Sequence, residues 1–202
     1  LKKNLTASKK LSVDMRQDII EMSYKARAAE IGSSLCIADI LAVLYTDILA
    51  INPKKPEDPK RDRFILSKGH GAAALYAVLA GRGFFPKNEL SKYKITGGRF
   101  HGHPSKDTAP GIECSTGSLG HGLSIGAGMA LSLKKSHPGS RVFVLIGDGE
   151  CNEGSIWEAA MFIATHNLSN TIAIIDENGF QGFGKTEEVH PMDLAQLWKS
   201  FG

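Results

Sequence analysis

The chain has 202 residues, a formal net charge of +3 and 42% hydrophobic residues. This length predicts one domain over residues 1–202. The charge is too small to indicate nucleic-acid binding, and no continuous apolar run approaches the roughly 18 residues of a membrane span. We therefore expect no nucleic-acid or membrane partner.

The three cysteines, Cys36, Cys114 and Cys151, follow no metal-binding spacing. An odd number without such spacing is typical of reduced thiols in an intracellular protein. The first ten residues contain four lysines and lack the apolar stretch of a signal peptide. We expect a cytoplasmic protein with a solvated N-terminal tail.

The first half of the chain begins with helical patterns. Residues 12–29 follow one, and apolar residues from Ile37 to Ile48 recur at i, i+3, i+4, i+7 and i+11. A short strand is predicted at Phe64–Leu66, followed by Ser67-Lys68-Gly69-His70-Gly71 and an alanine-rich helix that reaches Ala80.

A polar loop then carries His101 and His103, and a glycine-rich stretch from Thr116 to Gly122 opens another helix. Its glycines resemble one dinucleotide-binding variant, but that motif needs a buried strand directly before it, and residues 112–118 are too polar. We expect Gly126 and Gly128 to serve close helix packing instead.

A strand–helix–strand unit follows from Val142 to Gln181. Two apolar, largely β-branched runs predict parallel strands, and Ser155 with Glu158 has the spacing of a capping box that begins the helix between them. Such units build a parallel sheet with helices on both faces, whose ligands bind beyond the carboxyl ends of the strands. A last short helix is predicted from Asp193 to Ser200.

Asp148 and Asn178 stand at those two strand ends, 30 residues apart. A carboxylate and an amide oxygen suit Mg²⁺, which prefers oxygen ligands and is often shared with substrate phosphates. The glycines around Asp148 let backbone N–H groups approach the same phosphates. The sequence therefore predicts a magnesium–phosphate site here.

Gly147-Asp148-Gly149 with Asn178 resembles the thiamine diphosphate fingerprint, and the wider sequence resembles the diphosphate-binding domain of transketolases. Five further segments are similar to transketolase segments and occur in the family's order: Ala38-Asp39-Ile40, Arg61-Asp62-Arg63-Phe64, Ser67-Lys68-Gly69-His70-Gly71, Gly102-His103-Pro104 and Thr116-Gly117-Ser118-Leu119-Gly120.

The resemblance implies a role for individual residues. His70 would contact cofactor and substrate, and His103 would contact the substrate at the reacting centre. Asp148, Asn178 and the backbone carbonyl of Phe180 would bind Mg²⁺ or another divalent cation such as Ca²⁺. The residues expected to bind thiamine diphosphate are His70, Gly117, Ser118, Leu119, Asp148, Gly149, Glu150 and Asn178.

Two positions depart from the family pattern. Glu30 stands where a substrate-facing histidine is usual, and a carboxylate there would repel a phosphate-bearing substrate unless protonated. We expect Glu30 to alter the donor or acceptor preference; the alternative is that it is displaced and structural. His121 occupies a position where glutamine is common, and its role stays open.

The resemblance also implies that a final strand or two of the diphosphate-binding domain is absent after Gly202. Thiamine diphosphate enzymes need in addition a pyrimidine-binding domain, for which this sequence has no counterpart. The chain therefore resembles the N-terminal subunit of a split transketolase, inactive alone and paired with a separate C-terminal subunit in a heterotetramer. The implied reaction transfers a two-carbon ketol unit from a ketose donor to an aldose acceptor, with sugars or sugar phosphates as substrates. The alternatives are another thiamine diphosphate-dependent carboligase or 2-oxoacid decarboxylase subunit, and a non-catalytic scaffold that keeps the fold.

Overall fold

A computed structural model describes residues 5–202, with side chains from Ala7 onward. The helices are α1 (Leu5–Ala26), α2 (Ile31–Leu35), α3 (Ala38–Val43), α4 (Ala72–Gly81), α5 (His121–Ser136), α6 (Gly154–Thr165), α7 (Thr186–Val189) and α8 (Leu194–Ser200). The strands are β1 (Arg63–Leu66), β2 (Val142–Gly147), β3 (Thr171–Asp176), β4 (Phe180–Gln181) and β5 (Gly184–Lys185). Short 3₁₀ turns cover Gly69–Gly71, Lys87–Lys92 and Gly149–Asn152, and a π-helical turn covers Leu44–Ile48.

The chain divides into two compact units, each built from two segments. The first unit contains the residues up to Arg61 and Gly69–Gly117, and the second contains Asp62–Lys68 and Ser118–Gly202. The single domain expected over residues 1–202 stays a prediction. The two units are described separately below.

The first unit is helical and is built around α4. Every residue of α4 from Ala72 to Ala80 is buried, which a run of alanines and larger apolar residues without a polar face allows. Helix α1 packs against α3 and α4 through the buried side chains of Met15, Ile19 and Met22. Beside α4, an aromatic cluster joins Tyr76, Tyr93, Phe100 and Phe85, with ring centroids 4.7–6.0 Å apart.

The second unit contains the parallel sheet that the apolar runs predict. Its strand order is β1-β2-β3, and both neighbouring pairs are parallel. The central strand β2 is buried along its whole length, as expected for a strand covered on both faces. Helix α5 packs across all three strands, and Gly126 allows this approach because an added Cβ would lie 2.7 Å from Cγ2 of Val144.

Several local expectations are wrong. Helix α6 begins at Gly154 with Glu153 at its N-cap and no side-chain capping bond, so Ser155 and Glu158 do not form the capping box. Gly128 has no atom within 4 Å of an added Cβ, so close packing does not explain it. Lys9 and Lys10, expected in a solvated N-terminal tail, belong to α1, whereas Lys2 and Lys3 lie outside the described residues.

The Ile37–Ile48 pattern forms α3 and the π-helical turn after it, rather than one regular helix. With α2 included, the 18-residue window Ile31–Ile48 reaches a mean hydropathy of 1.6, so length and composition alone would allow a membrane span among the described residues. The window is divided into three short pieces, and Leu41, Leu44 and Tyr45 are buried in the helical unit. The absence of a membrane partner stays a prediction.

Candidate functional site

The carboxyl ends of β2 and β3 bring Asp148 and Asn178 to the same edge of the sheet. The two strands are in parallel register, with Gly147 opposite Asp176, and the backbone N–H of Asp148 donates to the carbonyl of Asp176 at 3.2 Å. Asp148 directly follows Gly147, and Asn178 lies two residues beyond Asp176. The sheet edge predicted from the sequence is therefore formed.

Asp148 is a buried carboxylate with neutral donors only. It is 2% exposed; one carboxylate oxygen accepts from the backbone N–H of Gly149 at 2.9 Å, and the other accepts from the hydroxyl of Thr186 at 2.6 Å. An ionised carboxylate can accept about four hydrogen bonds, so each oxygen keeps a lone pair for a further ligand.

Three of the four other buried carboxylates of the described residues are satisfied by an ion pair. Asp18, Asp62 and Asp176 each form an ion pair with a basic side chain, at 2.9, 2.6 and 2.5 Å respectively. Buried charges in proteins are paired with an opposite charge or bind a metal. Asp148, which has no such partner in the described part of the chain, therefore suits a bound cation.

Glu150, also without an ion pair among the described residues, is held by three donors instead. Its carboxylate accepts from the hydroxyl of Ser67, from the backbone N–H of Gly120 at 2.8 Å and from that of Gly147 at 3.2 Å. Burial raises the pKa of this carboxyl, and those three hydrogen bonds oppose the rise. Glu150 thus ties the end of β1, the start of α5 and the end of β2 together, and its predicted contact with the cofactor stays a prediction.

The amide of Asn178 has a defined orientation. Its nitrogen donates to Oδ2 of Asp176 at 2.9 Å, and its oxygen accepts from the backbone N–H of Phe180 at 2.9 Å. The same Oδ2 of Asp176 also accepts from Nζ of Lys68 at 2.5 Å. The amide oxygen therefore faces the segment whose Phe180 carbonyl is the third predicted metal ligand.

A short hairpin follows these strand ends. Strands β4 and β5 pair antiparallel, and the N–H of Thr186, just after β5, donates to the carbonyl of Gly179 at 2.9 Å. This arrangement brings the Thr186 hydroxyl to Asp148. The hairpin was not predicted, because runs of two residues are too short to show strand periodicity.

Gln181, on this hairpin, lies against Gly149. A Cβ added at Gly149 would be 3.1 Å from Cγ of Gln181, so a larger residue there would crowd this contact. The amide oxygen of Gln181 accepts from Asn152 at 2.9 Å, whereas its amide nitrogen is buried without a hydrogen-bond partner. A buried unpaired donor is costly, and a phosphate oxygen would satisfy it.

These observations fit a divalent cation and a diphosphate. Within the described residues, no group of three or more His, Cys, Asp or Glu side chains could hold a metal ion. A site here would therefore use the Asp148 carboxylate, the Asn178 amide oxygen and a backbone carbonyl, all oxygen ligands of the kind Mg²⁺ and Ca²⁺ prefer.

In the helical unit, His103 is exposed and lies on a loop whose backbone is held by a buried tyrosine. The hydroxyl of Tyr76, which is fully buried, donates to the carbonyls of His101 and His103 at 3.1 and 3.2 Å. The imidazole of His103 faces Gly117, where an added Cβ would lie 3.0 Å from Cδ2 of the ring. Gly117 also has φ +139°, so a side chain there would be strained as well as crowded.

His70 and Glu30 lie near each other in the same unit. The hydroxyl of Ser33 donates to the carbonyl of Glu30 at 2.6 Å and lies 3.4 Å from the carbonyl of His70. Glu30 is exposed and has φ +68° at the start of α2, and its charge helps burial to raise the pKa of Tyr93. The backbone carbonyls of Glu30 and His70 therefore both lie within reach of the Ser33 hydroxyl, and the predicted effect of Glu30 on substrate choice stays a prediction.

The remaining predicted cofactor residues precede α5. Ser118 is exposed, the carbonyl of Leu119 lies 3.1 Å from Nδ1 of His121, and Gly120 has φ +82°. No strand forms at residues 112–118, which all lie in the described part of the chain, so the dinucleotide-binding alternative lacks the strand that it needs.

Sequence reasoning missed four residues around these positions: Lys68, Asp176, Ser33 and Thr186. A lysine two residues beyond one apolar strand, and an aspartate at the end of another, are a usable signal for the first pair. Ser33 and Thr186 gave no signal, because their partners are 37 and 38 residues away along the chain.

Comparison with known proteins agrees with this geometry. Residues 7–202 match the family model described as the thiamine diphosphate binding domain of transketolase. The chain is 44% identical over 188 residues to one of the subunits of the apulose-4-phosphate transketolase of Phocaeicola vulgatus, covering 93% of this chain and 66% of that protein. It is 41% identical over 189 residues to a 6-deoxy-6-sulfo-D-fructose transketolase subunit of a Clostridium species, covering 93% and 69%.

Solved transketolases share the fold. The transketolase of Campylobacter jejuni superposes with a TM-score of 0.90 at 30% identity, over 98% of this chain and 32% of that one. The Leishmania mexicana enzyme gives 0.87 at 29% identity, over 96% and 31%. The chain thus spans about two thirds of the length of these two transketolase subunits and about one third of the solved transketolase chains. The predicted fold class, a thiamine diphosphate-binding fold with a parallel sheet and helices, is confirmed, and the chain belongs to the thiamine diphosphate-binding domains of the transketolase family.

Proposed function

We propose that this chain is the diphosphate-binding subunit of a two-subunit transketolase, which transfers a two-carbon ketol unit from a ketose to an aldose. The separate partner would supply the pyrimidine-binding domain, in a heterotetramer. The proposal is supported by the similarity to proteins named as transketolase subunits, which are themselves only part of the length of the full transketolase chains.

The observation that carries the proposal is the buried Asp148 carboxylate at the strand edge, with neutral donors only and Asn178 at the end of the neighbouring strand. Asp148, the Asn178 amide oxygen and the Phe180 carbonyl would hold Mg²⁺, or another divalent cation such as Ca²⁺. Gly149 and the unpaired amide nitrogen of Gln181 would face the diphosphate.

Bound thiamine diphosphate supplies the electron sink that ketol transfer requires. The residues of this chain contribute position and charge. His70 and His103 would donate or accept protons at the sugar oxygens, which imidazoles can do near neutral pH. Glu30, beside His70, would disfavour donors or acceptors with a phosphate group close to that position. Substrates are sugars or sugar phosphates, and the site of action is proposed to be the cytoplasm, in keeping with three free cysteines.

The test is reconstitution with a candidate pyrimidine-domain subunit. We expect the purified chain alone to be inactive, and the mixture to transfer ketol units only with thiamine diphosphate and a divalent cation. Removal of the cation with EDTA should abolish the activity, and Mg²⁺ or Ca²⁺ should restore it. Asp148→Asn tests the role of the Asp148 charge in binding the cation, because it removes the charge but keeps the shape of the side chain and one of its oxygens.

The outcomes distinguish the candidate functions. Turnover by the chain alone would contradict the split-subunit proposal. Release of CO₂ from a 2-oxoacid without ketol transfer would favour the decarboxylase alternative. Failure of the mixture to bind thiamine diphosphate and Mg²⁺ by calorimetry would leave the scaffold alternative, and equal cofactor binding by Asp148→Asn would remove Asp148 from the site.

A further inference from the structure

Lys68 and Asp176 form a buried ion pair near the proposed cation site, although neither residue is a proposed ligand of the cation. Lys68 and Asp176 are 1% and 6% exposed, and their charged atoms are 2.5 Å apart. Taking two charges out of water costs several kcal/mol for each ion, and apolar residues of similar volume are often as stable or more so. A pair of this kind is weak evidence for stability, which raises the question of what else it does.

The role of the ion pair follows from its position next to Asn178. Asp176 is the last residue of β3, and its Oδ2 accepts from the amide nitrogen of Asn178 as well as from Lys68. Both contacts end on one oxygen, so Asp176 acts as the hydrogen-bond acceptor for Lys68 and for Asn178. The group of Asn178 that faces Asp176 is therefore its NH₂, 2.9 Å away, rather than its oxygen.

The opposite side of the amide gives the same assignment. The backbone N–H of Phe180 is a donor and lies 2.9 Å from the amide oxygen. The two contacts together fix which way the amide points, a choice that side-chain shape alone does not settle. Only one of the two orientations presents an oxygen to a cation.

We propose that Asp176 is a positioning residue for the divalent cation: it holds the NH₂ of Asn178 so that the amide oxygen is presented as the ligand, and Lys68 holds Asp176 in place. The inference rests on the proposed cation at Asp148 and Asn178. Partners of this kind, which orient a ligand without touching the metal, typically change metal affinity by 10–100-fold when removed.

The experiment measures Mn²⁺ affinity of the chain mixed with its pyrimidine-domain partner and saturating thiamine diphosphate, by electron paramagnetic resonance of the free ion. Four forms of the full chain are compared: unsubstituted, Asn178→Asp, Lys68→Met/Asp176→Leu, and the triple variant combining these changes. The double variant replaces the ion pair with apolar residues of similar size, which avoids leaving one buried charge unpaired. Urea unfolding and circular dichroism check that each form is folded.

We expect the double variant to bind Mn²⁺ about 10–100-fold more weakly than the unsubstituted chain. In that background Asn178→Asp should restore affinity, because a carboxylate offers oxygen on either side and needs no orientation. In the unsubstituted background the same change should weaken binding, because two carboxylates would then lie against each other. A merely structural pair would give Asn178→Asp the same effect in both backgrounds.

Each result therefore has a meaning. Opposite signs of the Asn178→Asp effect support the positioning role. Equal Mn²⁺ affinity of the double variant and the unsubstituted chain, or an Asn178→Asp effect of the same sign in both backgrounds, overturns it while leaving the cation site intact. Lack of Mn²⁺ binding by the mixture that contains the folded, unsubstituted chain overturns the inference and the proposed cation site together.

Discussion

The strand ends of the sheet-containing unit and the histidine loops of the helical unit hold their functional side chains in different ways. At the strand ends, Asp148, Glu150 and Asp176 are nearly fully buried, and every one is held by hydrogen bonds. In the helical unit, Glu30 and His103 have exposed side chains. Their backbone carbonyls are held by hydrogen bonds, from the hydroxyl of Ser33 to Glu30 and from that of Tyr76 to His103.

This difference separates two physical tasks. A cation and a diphosphate are the same for every substrate, so side chains that bind them can be buried and fixed by strands. Side chains that face a variable substrate can be replaced without disturbing the core, provided that the backbone below them is anchored. We therefore expect substitutions at the strand ends to affect stability and cofactor binding together, and substitutions on the histidine loops to affect substrate preference alone.

The largest expected effect is that of breaking the Lys68–Asp176 pair on one side only. Lys68→Met leaves Asp176 as a buried carboxylate without its cation, and Asp176→Leu leaves a buried ammonium; each should cost about 3–5 kcal/mol of unfolding free energy. The Lys68→Met/Asp176→Leu double variant should lose clearly less than the sum. Urea unfolding of the three variants measures this, and additive losses would show that the two charges do not interact.

A smaller effect is expected from two glycines of the same helix, α5. Gly126→Ala puts a methyl group 2.7 Å from Cγ2 of Val144 on β2, and overpacking of this kind costs about 1–3 kcal/mol. Gly128→Ala meets no atom within 4 Å and should stabilise the chain by about 0.5–1 kcal/mol, because glycine is the poorer helix former.

Thermal or urea unfolding of both variants tests this pair, with identical chemistry at positions two residues apart as the internal control. A loss of stability in Gly128→Ala, or none in Gly126→Ala, would mean that α5 does not approach the sheet as described. The two variants together therefore test whether α5 packs against β2 at Gly126.

The sequence predicted the strands of the sheet more accurately than the helix start and the long-range contacts around them. The apolar runs of β2 and β3 and the order of their motifs were enough to place Asp148 and Asn178 at one edge, because buried parallel strands are visible as local patterns. Some local patterns were misleading: Ser155 and Glu158 have capping-box spacing, yet the chain enters α6 through a 3₁₀ turn and begins the helix two residues earlier.

Contacts distant along the chain were beyond prediction. Gly126 and Gly128 look alike in sequence, and only the position of Val144 makes one of them necessary. Lys68 was visible as part of a motif, but its partner Asp176 is 108 residues away. The orientation of the Asn178 amide depends on that partner, so it could be derived only once the strands were in register.

On the histidine loops, Glu30→His should change substrate preference and leave stability nearly unchanged. Glu30 is exposed, and surface substitutions usually change the free energy of unfolding by less than about 0.5 kcal/mol. Removing its charge beside His70 should shift the ratio of kcat/KM between phosphorylated and unphosphorylated substrates by about tenfold, equivalent to about 1.4 kcal/mol. The reconstituted enzyme provides the measurement, with Glu30→Gln as the variant that removes charge alone; an unchanged ratio in both variants would assign Glu30 a structural role.

The smallest expected effect concerns Asp39, whose motif resembles the family but whose carboxylate contacts helix α1 in the helical unit. Hydrogen bonds from Arg16 and Ser12, and the charge of Arg16, lower the pKa of Asp39 from its ordinary value of 3.8. A carboxyl whose pKa is lower in the folded state stabilises the protein above its unfolded pKa, and this contribution is lost as the pH falls through the folded value.

Asp39→Asn should therefore cost less than about 1 kcal/mol at pH 7, because the side chains of the pair are 36% and 70% exposed and solvent screens them. The difference between the two proteins should shrink as the pH falls below 3.8, where the Asp39 carboxyl begins to bind its proton in the unfolded chain first. Urea unfolding at several pH values from 7 to 3 gives this difference directly. A loss that stays constant over the whole range would mean that the hydrogen bonds of Asp39 matter independently of its charge, and that this contact between α1 and α3 carries more of the helical unit's stability than its exposure suggests.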